Sequence, residues 1–504
     1  MAWRAKLWWF GLLGVAVFLG CAGRPSAPGA QENTWRRLQT DHFDLFTDLG
    51  EADAIEASVA LERTRAALLQ AAWSSRRATR QTQRIRVIVL ASMWDFQHYF
   101  PSTTAAIHFN IGGETIALWG KPDTWETRSR TGEYSNSNLR HELVHHLAAG
   151  IYLREPRWFA EGMAQFWETI IIADDGKSAL VGRPNADAFR SYLTVRSISV
   201  KDALAWGKPS ALDAQYALAG LYGLSWAMVH WMYNARPDAF AAYHTALMRG
   251  DDPDRAWTAN FGADEDAIDA TIYQYLHHGQ FAELPVDLQP SEVHPVPATV
   301  TAADVQAIRA QLALVAAEQD PNHPYEQEAE SHLAAALALE PGNVPALRLS
   351  QRLDKKIPNE ELISRLRNET TRRPDDGEAW LFLGSLLQPS EREPALRKAL
   401  ALLPNNATAY NNLAWHLLQT NRADEALPLA TKASFLAPWS AVILDTYAAA
   451  LFTVGRCPDA IRIQLRAVDN VPEQQRDKTD ARSITATLER YRASCGAAAS
   501  LTPP

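Results

Sequence analysis

The sequence predicts an α+β half, built from a small β-sheet plus a helix bundle, followed by an all-α solenoid of repeated helix pairs. Three observations carry that expectation. Apolar periodicity changes from alternating to helical within the first half, four prolines crowd residues 284–300, and beyond them prolines recur every 34 residues. The length, 504 residues, allows two to four domains at about 100–200 residues each. With 47% hydrophobic and 21% charged residues, the composition excludes global disorder, a collagen-like repeat and a multispanning membrane protein. A net charge of −9 offers no basic surplus, which sets nucleic-acid binding aside. Three cysteines are too few for a disulfide framework or a cysteine-built zinc module, so any metal must be held mainly by His and carboxylates.

Residues 1–21, MAWRAKLWWFGLLGVAVFLGC, read as a signal segment rather than part of the fold. Arg4 and Lys6 precede an apolar stretch from Leu7 to Gly20, which as a helix reaches only about 21 Å of a hydrocarbon core ~30 Å thick. Export is expected, with membrane attachment through a lipid anchor only. The run Phe18-Leu19-Gly20-Cys21 resembles a bacterial lipobox, with Phe18 in place of the usual Leu. That resemblance implies lipidation of Cys21 and, with Ala22 following, an outer-membrane lipoprotein of the cell envelope. Ordinary signal-peptide cleavage is the alternative. Residues 22–33 are small and rich in Pro and Gly, as a tether would be.

The first domain is expected over residues 34–283. Asp41–Asp48 alternates like a strand, Glu51–Ala72 has helical period, Arg84–Ser92 is β-rich, and Glu114–Trp119 reads as a further strand. From Asn138 onward the pattern is helical almost throughout. Pro285, Pro290, Pro295 and Pro297 exclude a helix from residues 284–300, which read as a linker.

Residues 301–496 repeat themselves, with 497–504 as a tail. Setting Pro404, Pro438 and Pro472 at position 32 of a 34-residue unit aligns Ala426 with Ala460 and Ala433 with Ala467. Tyr410 and Leu413 then align with Leu444 and Tyr447. These residues resemble the tetratricopeptide repeat, in which small side chains let paired helices approach and a proline closes the second. An earlier unit carrying Trp380, Leu383, Gly384, Ala399 and Pro404 is four residues short, which reads as a shortened inter-helix turn. The resemblance implies a concave surface for a protein partner. In an oxidising compartment Cys457 and Cys495 can form a disulfide; two buried thiols are the alternative.

Residues 141–145 read His-Glu-Leu-Val-His within a helical stretch. Imidazoles at i and i+4 lie about 40° apart around a helix and one turn apart along it, so both can reach one ion. Glu142 projects roughly 100° away, toward the side of a metal-activated water. Ala148 and Ile151 stand where a metzincin needs Gly and His, which rejects that branch. Glu161 lies downstream in Pro156-Arg157-Trp158-Phe159-Ala160-Glu161-Gly162-Met163-Ala164, on a second helix, and can complete a two-His, one-Glu site. The two motifs together resemble the peptidase MA-like family of gluzincins, bacterial envelope proteins that often carry tetratricopeptide repeats. The resemblance covers residues 35–283 and includes the stretch from Leu221 to Val229 and Asn260-Phe261-Gly262. It implies a zincin-like fold, Zn2+ bound by His141, His145 and Glu161, Glu142 as base, and Tyr222 as a hydrogen-bond donor to the oxyanion.

The implied chemistry is consistent. Zinc lowers the pKa of water toward ~7 and polarises a carbonyl, while Glu142 takes the water proton and passes it to the leaving amine. A peptide or protein substrate is expected extended along an edge strand, for which Glu114–Trp119 is the candidate. The sequence thus predicts a lipid-anchored zinc metallopeptidase with a repeat domain for protein binding. A non-catalytic envelope scaffold or assembly factor acting through its repeats is the alternative, and hydrolysis of a non-peptide amide is a third reading. Plainer roles exist for single residues. His141 and His145 can be core-facing histidines beside Val144 and Ala148, and Tyr222 can be helix packing. His146 reads as solvated or as support for a ligand, and the tryptophans from Trp158 to Trp231 as core.

Overall fold

The computed structural model describes residues 34–499, apart from 74–82, 101–105, 111–113, 126, 129–134, 137, 196, 207–214, 280, 291, 354–355 and 472–478. Cys21 and the tether lie outside the described residues. Strands β1 (Arg36–Gln39), β2 (Phe43–Thr47), β3 (Ile85–Leu90), β4 (Ala106–Asn110) and β5 (Glu114–Trp119) form a sheet, with helices α1 (Glu51–Ala72) and α2 (Met93–Tyr99) among them. Their order is β1-β2-β3-β5-β4, with β2, β3 and β5 parallel and β1 and β4 antiparallel to their neighbours. Glu114–Trp119 is therefore interior rather than an edge: Ile116 pairs with Val87 on one side and with His108 on the other. The edge strand beside it is β4.

A two-residue strand pair, β6 (Thr127–Arg128) and β7 (Ser135–Asn136), leads into helices α3 (Asn138–Ile151) and α4 (Arg157–Trp167). Strands β8 (Ile171–Ile172) and β9 (Ser178–Val181) then interrupt a stretch that the sequence reads as helical. Helices α5 (Ala186–Thr194), α6 (Val200–Ala205), α7 (Gln215–Ala235), α8 (Pro237–Arg249), α9 (Pro253–Phe261) and α10 (Glu265–His278) complete the bundle. The tryptophans from Trp158 to Trp231 are core as expected: Trp158, Trp167, Trp206, Trp226 and Trp231 are all buried, as is Trp257.

Residues 284–300 are not a free linker. β10 (Leu284–Asp287) pairs with β9, and β11 (Val296–Ala298) pairs with β1, placing Leu38 opposite Pro297. Both strands lie at the margin of their sheets, where a proline's missing N–H costs no ladder bond. The prolines exclude a helix, as read, but they permit an edge strand.

The sheet is buried on both faces. Ile85, Val87 and Val89 of β3 enter a core shared with α1, α3 and α4, whereas Ile88 and Leu90 face the other way with Phe46 and Ala117. That second face is covered by α11 (Ala302–Gln319) and α12 (Tyr325–Leu339). The first helix pair beyond β11 is thus a layer of the sheet domain, and packing is continuous across residue 300.

A helical repeat solenoid follows: α13 (Val344–Leu349), α14 (Asn359–Arg372), α15 (Gly377–Leu386), α16 (Pro389–Leu402), α17 (Ala407–Gln419), α18 (Ala423–Leu436), α19 (Ala441–Thr453), α20 (Cys457–Asp469) and α21 (Thr479–Ala499). Ala426, Ala433, Ala460 and Ala467 are all 0% exposed, so the small residues sit where helices press together. Asn421 and Gly455, one period apart, both adopt positive φ after α17 and α19. In the short unit most of the deficit is in the helix rather than the turn. α15 has 10 residues and α17 has 13, while the following loops hold two residues (387–388) and three (420–422). Cys457 and Cys495 form a disulfide joining α20 to α21. Among the described residues, no helix is long and apolar enough to cross a membrane.

Candidate metal centre

Helix α3 is held by Leu139, Leu143, Val144 and Leu147, which enter the sheet-domain core and leave His141 and His145 half-buried on another face. Helix α4 starts after Pro156 and packs tightly on α7, because Gly162 leaves no room for a side chain: a Cβ there would lie 2.4 Å from the Ser225 carbonyl oxygen. This close approach brings Glu161 of α4 to the imidazoles of α3, with Tyr222 of α7 within reach of the Glu161 charge.

The donor atoms converge. His141 Nε2 lies 3.2 Å from His145 Nε2, and Glu161 Oε2 lies 3.6 and 3.5 Å from the two nitrogens. Ligands at 2.0–2.1 Å in a tetrahedron are separated by about 3.4 Å, so this triangle has the dimensions of one face of a zinc site. Among the described residues these three are the group of His, Cys, Asp or Glu that could hold an ion. Two imidazoles and a carboxylate also suit zinc chemically.

Electrostatics agree with the geometry. Burial alone would lower His141, but the carboxylates of Glu161 and Glu168 outweigh it and raise its pKa to about 10. Burial would raise Glu161, yet the imidazoles of His145 and His141 hold it well below the usual carboxylate range. Positive charge is thus favoured among these side chains. Glu142 is half-buried, outside the donor triangle, and its charge is felt at both His141 and Tyr222. Tyr222 packs edge-on against Trp206 at 5.2 Å, and Arg157 lies over the same indole at 4.6 Å. Burial and the Glu161 charge raise the Tyr222 phenol, while a hydrogen bond with Arg157 acts the other way.

Several residues of the centre are missing from the sequence-level reading. Glu168 Oε2 accepts from His141 Nδ1 at 2.7 Å, and its other oxygen accepts from Asn185 Nδ2 at 2.6 Å. With Nδ1 donating to Glu168, Nε2 is the nitrogen that would face an ion once the ion displaces its proton, the usual orienting role of a carboxylate behind a histidine ligand. Glu168 falls seven residues after Glu161, two helical turns on and nearly the same face, a signal present in the sequence. Glu155, raised to about 7 by burial and by Glu161, is a further neighbour. His146 is not solvated: it is buried, and its ring packs at a tilt of 51° against Trp439 of the repeats with centroids 4.1 Å apart.

Residues 135–250, which contain the centre, match a family model described as "Protein of unknown function (DUF1570)". No curated protein matches the chain. Solved structures similar to it include a thermophilic tetratricopeptide-repeat protein of Thermus thermophilus, 16% identical, covering 36% of this chain and 99% of that one with a TM-score of 0.29. YrrB, described as a repeat protein with an unusual peptide-binding site, is 18% identical over 35% of this chain and 90% of that one, with a TM-score of 0.25. Yeast Tom70 is 13% identical over 56% and 61%, with a TM-score of 0.28.

Proposed function

We propose that the protein is a zinc-dependent peptidase, anchored in the cell envelope through Cys21, whose repeats engage a protein. The observation that carries this reading is the donor triangle of His141, His145 and Glu161 with Glu142 beside it. When bound, zinc would supply Lewis-acid polarisation of a carbonyl and a lowered pKa for water. Glu142, which is not a ligand, takes the proton of the attacking water and delivers it to the amide nitrogen as the C–N bond breaks. The Tyr222 hydroxyl donates to the carbonyl oxygen as that atom gains charge. Glu168 holds the His141 ring in place throughout. An extended peptide would add to β4, the terminal strand of the sheet.

A second reading rests on the solenoid. The same repeats would serve a non-catalytic envelope scaffold or assembly factor, with the metal centre structural or idle.

Zinc content and peptide hydrolysis, measured on wild type, Glu142→Ala and Glu161→Ala, separate the two. The peptidase reading expects near one zinc per chain in wild type, retained in Glu142→Ala and lost in Glu161→Ala, with hydrolysis abolished in both. Zinc without hydrolysis of any member of a peptide library favours the scaffold, and a folded wild type that takes no zinc overturns the metal centre. Cys21→Ala should move the protein from the membrane fraction to the soluble one, and no movement would sink the lipid anchor.

A further inference from the structure

We propose that the C-terminal repeats are part of the metal centre's frame, with Trp439 and Arg466 as positioning residues for helix α3. The inference rests on the metal-binding reading above. Leu143, Val144 and Leu147 fix one side of α3 in the sheet-domain core, and the side bearing His146 and Ala149 meets the repeats instead. Trp439, in the turn before α19, packs at a tilt against His146, the residue next to ligand His145. Arg466 of α20 donates to the Ala149 carbonyl oxygen in the last turn of α3, where a helix leaves its carbonyls unpaired and favours a cation. One turn on, Asp469 forms an ion pair with Arg154 at 2.5 Å, just past the end of α3. Gln83, before β3, adds two more bridges: its N–H donates to the Leu436 carbonyl at 3.1 Å, and its side-chain oxygen accepts from the Ala407 N–H at 3.0 Å.

These contacts govern rotation of α3 about its own axis. A ligand nitrogen some 6 Å from that axis moves by about 1 Å for a 10° turn, several times the ~0.2 Å tolerance of a metal–ligand distance. His146 projects about 100° from His145, so a ring packed against it resists the rotation that would spread the donor triangle. The repeats therefore act on the centre through the far side of the helix, and a ligand that shifted α18–α20 would change metal affinity.

The test uses full-length Trp439→Ala, Arg466→Gln and Trp439→Phe, with Trp415→Ala, an exposed tryptophan of α17, as control. Zinc dissociation constants come from chelator competition, and hydrogen exchange of α3 amides is measured in the metal-free proteins. Trp439→Ala and Arg466→Gln should bind zinc at least tenfold more weakly, with faster exchange in α3 and unchanged exchange in β3. Trp439→Phe should recover affinity, and Trp415→Ala should match wild type. Wild-type affinity in both Trp439→Ala and Arg466→Gln overturns the inference, and if Trp439→Ala fails to fold, Arg466→Gln decides it. A wild type that binds no zinc overturns the metal reading instead, while unchanged α3 exchange in the variants overturns the positioning role independently of metal.

Discussion

Glu168 Oε2 sits 2.7 Å from Nδ1 of His141, on the side of the imidazole away from Glu161, and Asn185 holds the carboxylate from behind. A ligand histidine fixed in this way presents one tautomer and one ring orientation. Removing the carboxylate should weaken zinc binding by 10–100-fold without removing a ligand. Glu168→Ala is expected to show that loss in chelator competition, with Glu168→Gln between it and wild type. Equal affinity in all three would deny the carboxylate an orienting role.

Gly162 sets how closely α4 approaches α7. Gly162→Ala puts a methyl 2.4 Å from the Ser225 carbonyl oxygen, a backbone atom that cannot swing aside. Overpacking of this kind costs about 1–3 kcal/mol, and here it also displaces Glu161. Thermal denaturation and zinc titration should both register the change. A variant with wild-type melting temperature would mean that the two helices can part at no cost.

His230 is buried, with Nε2 donating to the Gly182 carbonyl at 3.2 Å and Nδ1 within 2.8 Å of the Tyr275 hydroxyl. Burial lowers its pKa to about 4, with the Gly182 carbonyl opposing, so it is neutral in the fold. Between about pH 6.5 and pH 4 the unfolded chain binds the extra proton, so stability falls as pH drops through that window. The contribution is present above about pH 6.5 and is on the order of 3 kcal/mol. Urea denaturation of wild type and His230→Gln from pH 7 to pH 4 should show their difference shrinking by roughly that amount. A difference constant with pH would rule out His230 as the titrating group.

The disulfide between Cys457 and Cys495 closes a loop of 38 residues and ties α20 to α21, where Tyr491 stacks on Phe452 at 4.2 Å. Chain entropy alone assigns such a closure about 4 kcal/mol. Cys495→Ser should make α21 the first segment cut in limited proteolysis. Identical cleavage rates with and without the bond would show that the terminal helix is held by packing alone.

What could be read from the sequence follows how local each signal is. His141, Glu142 and His145 are one helical turn, Glu161 follows within a linear motif, and the paired cysteines and the 34-residue period need no tertiary information. β4 and β5 exchange roles because strand order is set by long-range pairing, which Glu114–Trp119 does not encode on its own. Pro285 and Pro297 mark an edge strand as readily as a linker, and only a partner strand distinguishes the two. The apolar run Val87-Ile88-Val89-Leu90 did carry a missed signal, since a strand without alternation is covered on both faces. His146 could not be placed, because Trp439 lies almost 300 residues away in the chain.

The pairing of Leu38 with Pro297 has a consequence in time. At a synthesis rate of ~5–20 residues per second, the first strand is made roughly 15–50 s before its outer neighbour exists. Until α11 and α12 follow, only Phe96, Tyr99 and Phe100 at α2 cover Phe46, Ile88 and Leu90. A chain released or cleaved near residue 300 would carry an open strand edge beside a half-covered apolar face, the combination that seeds aggregation. The sheet is therefore complete only once the chain has grown past residue 340, well into what the proline-rich stretch divides off as the second half.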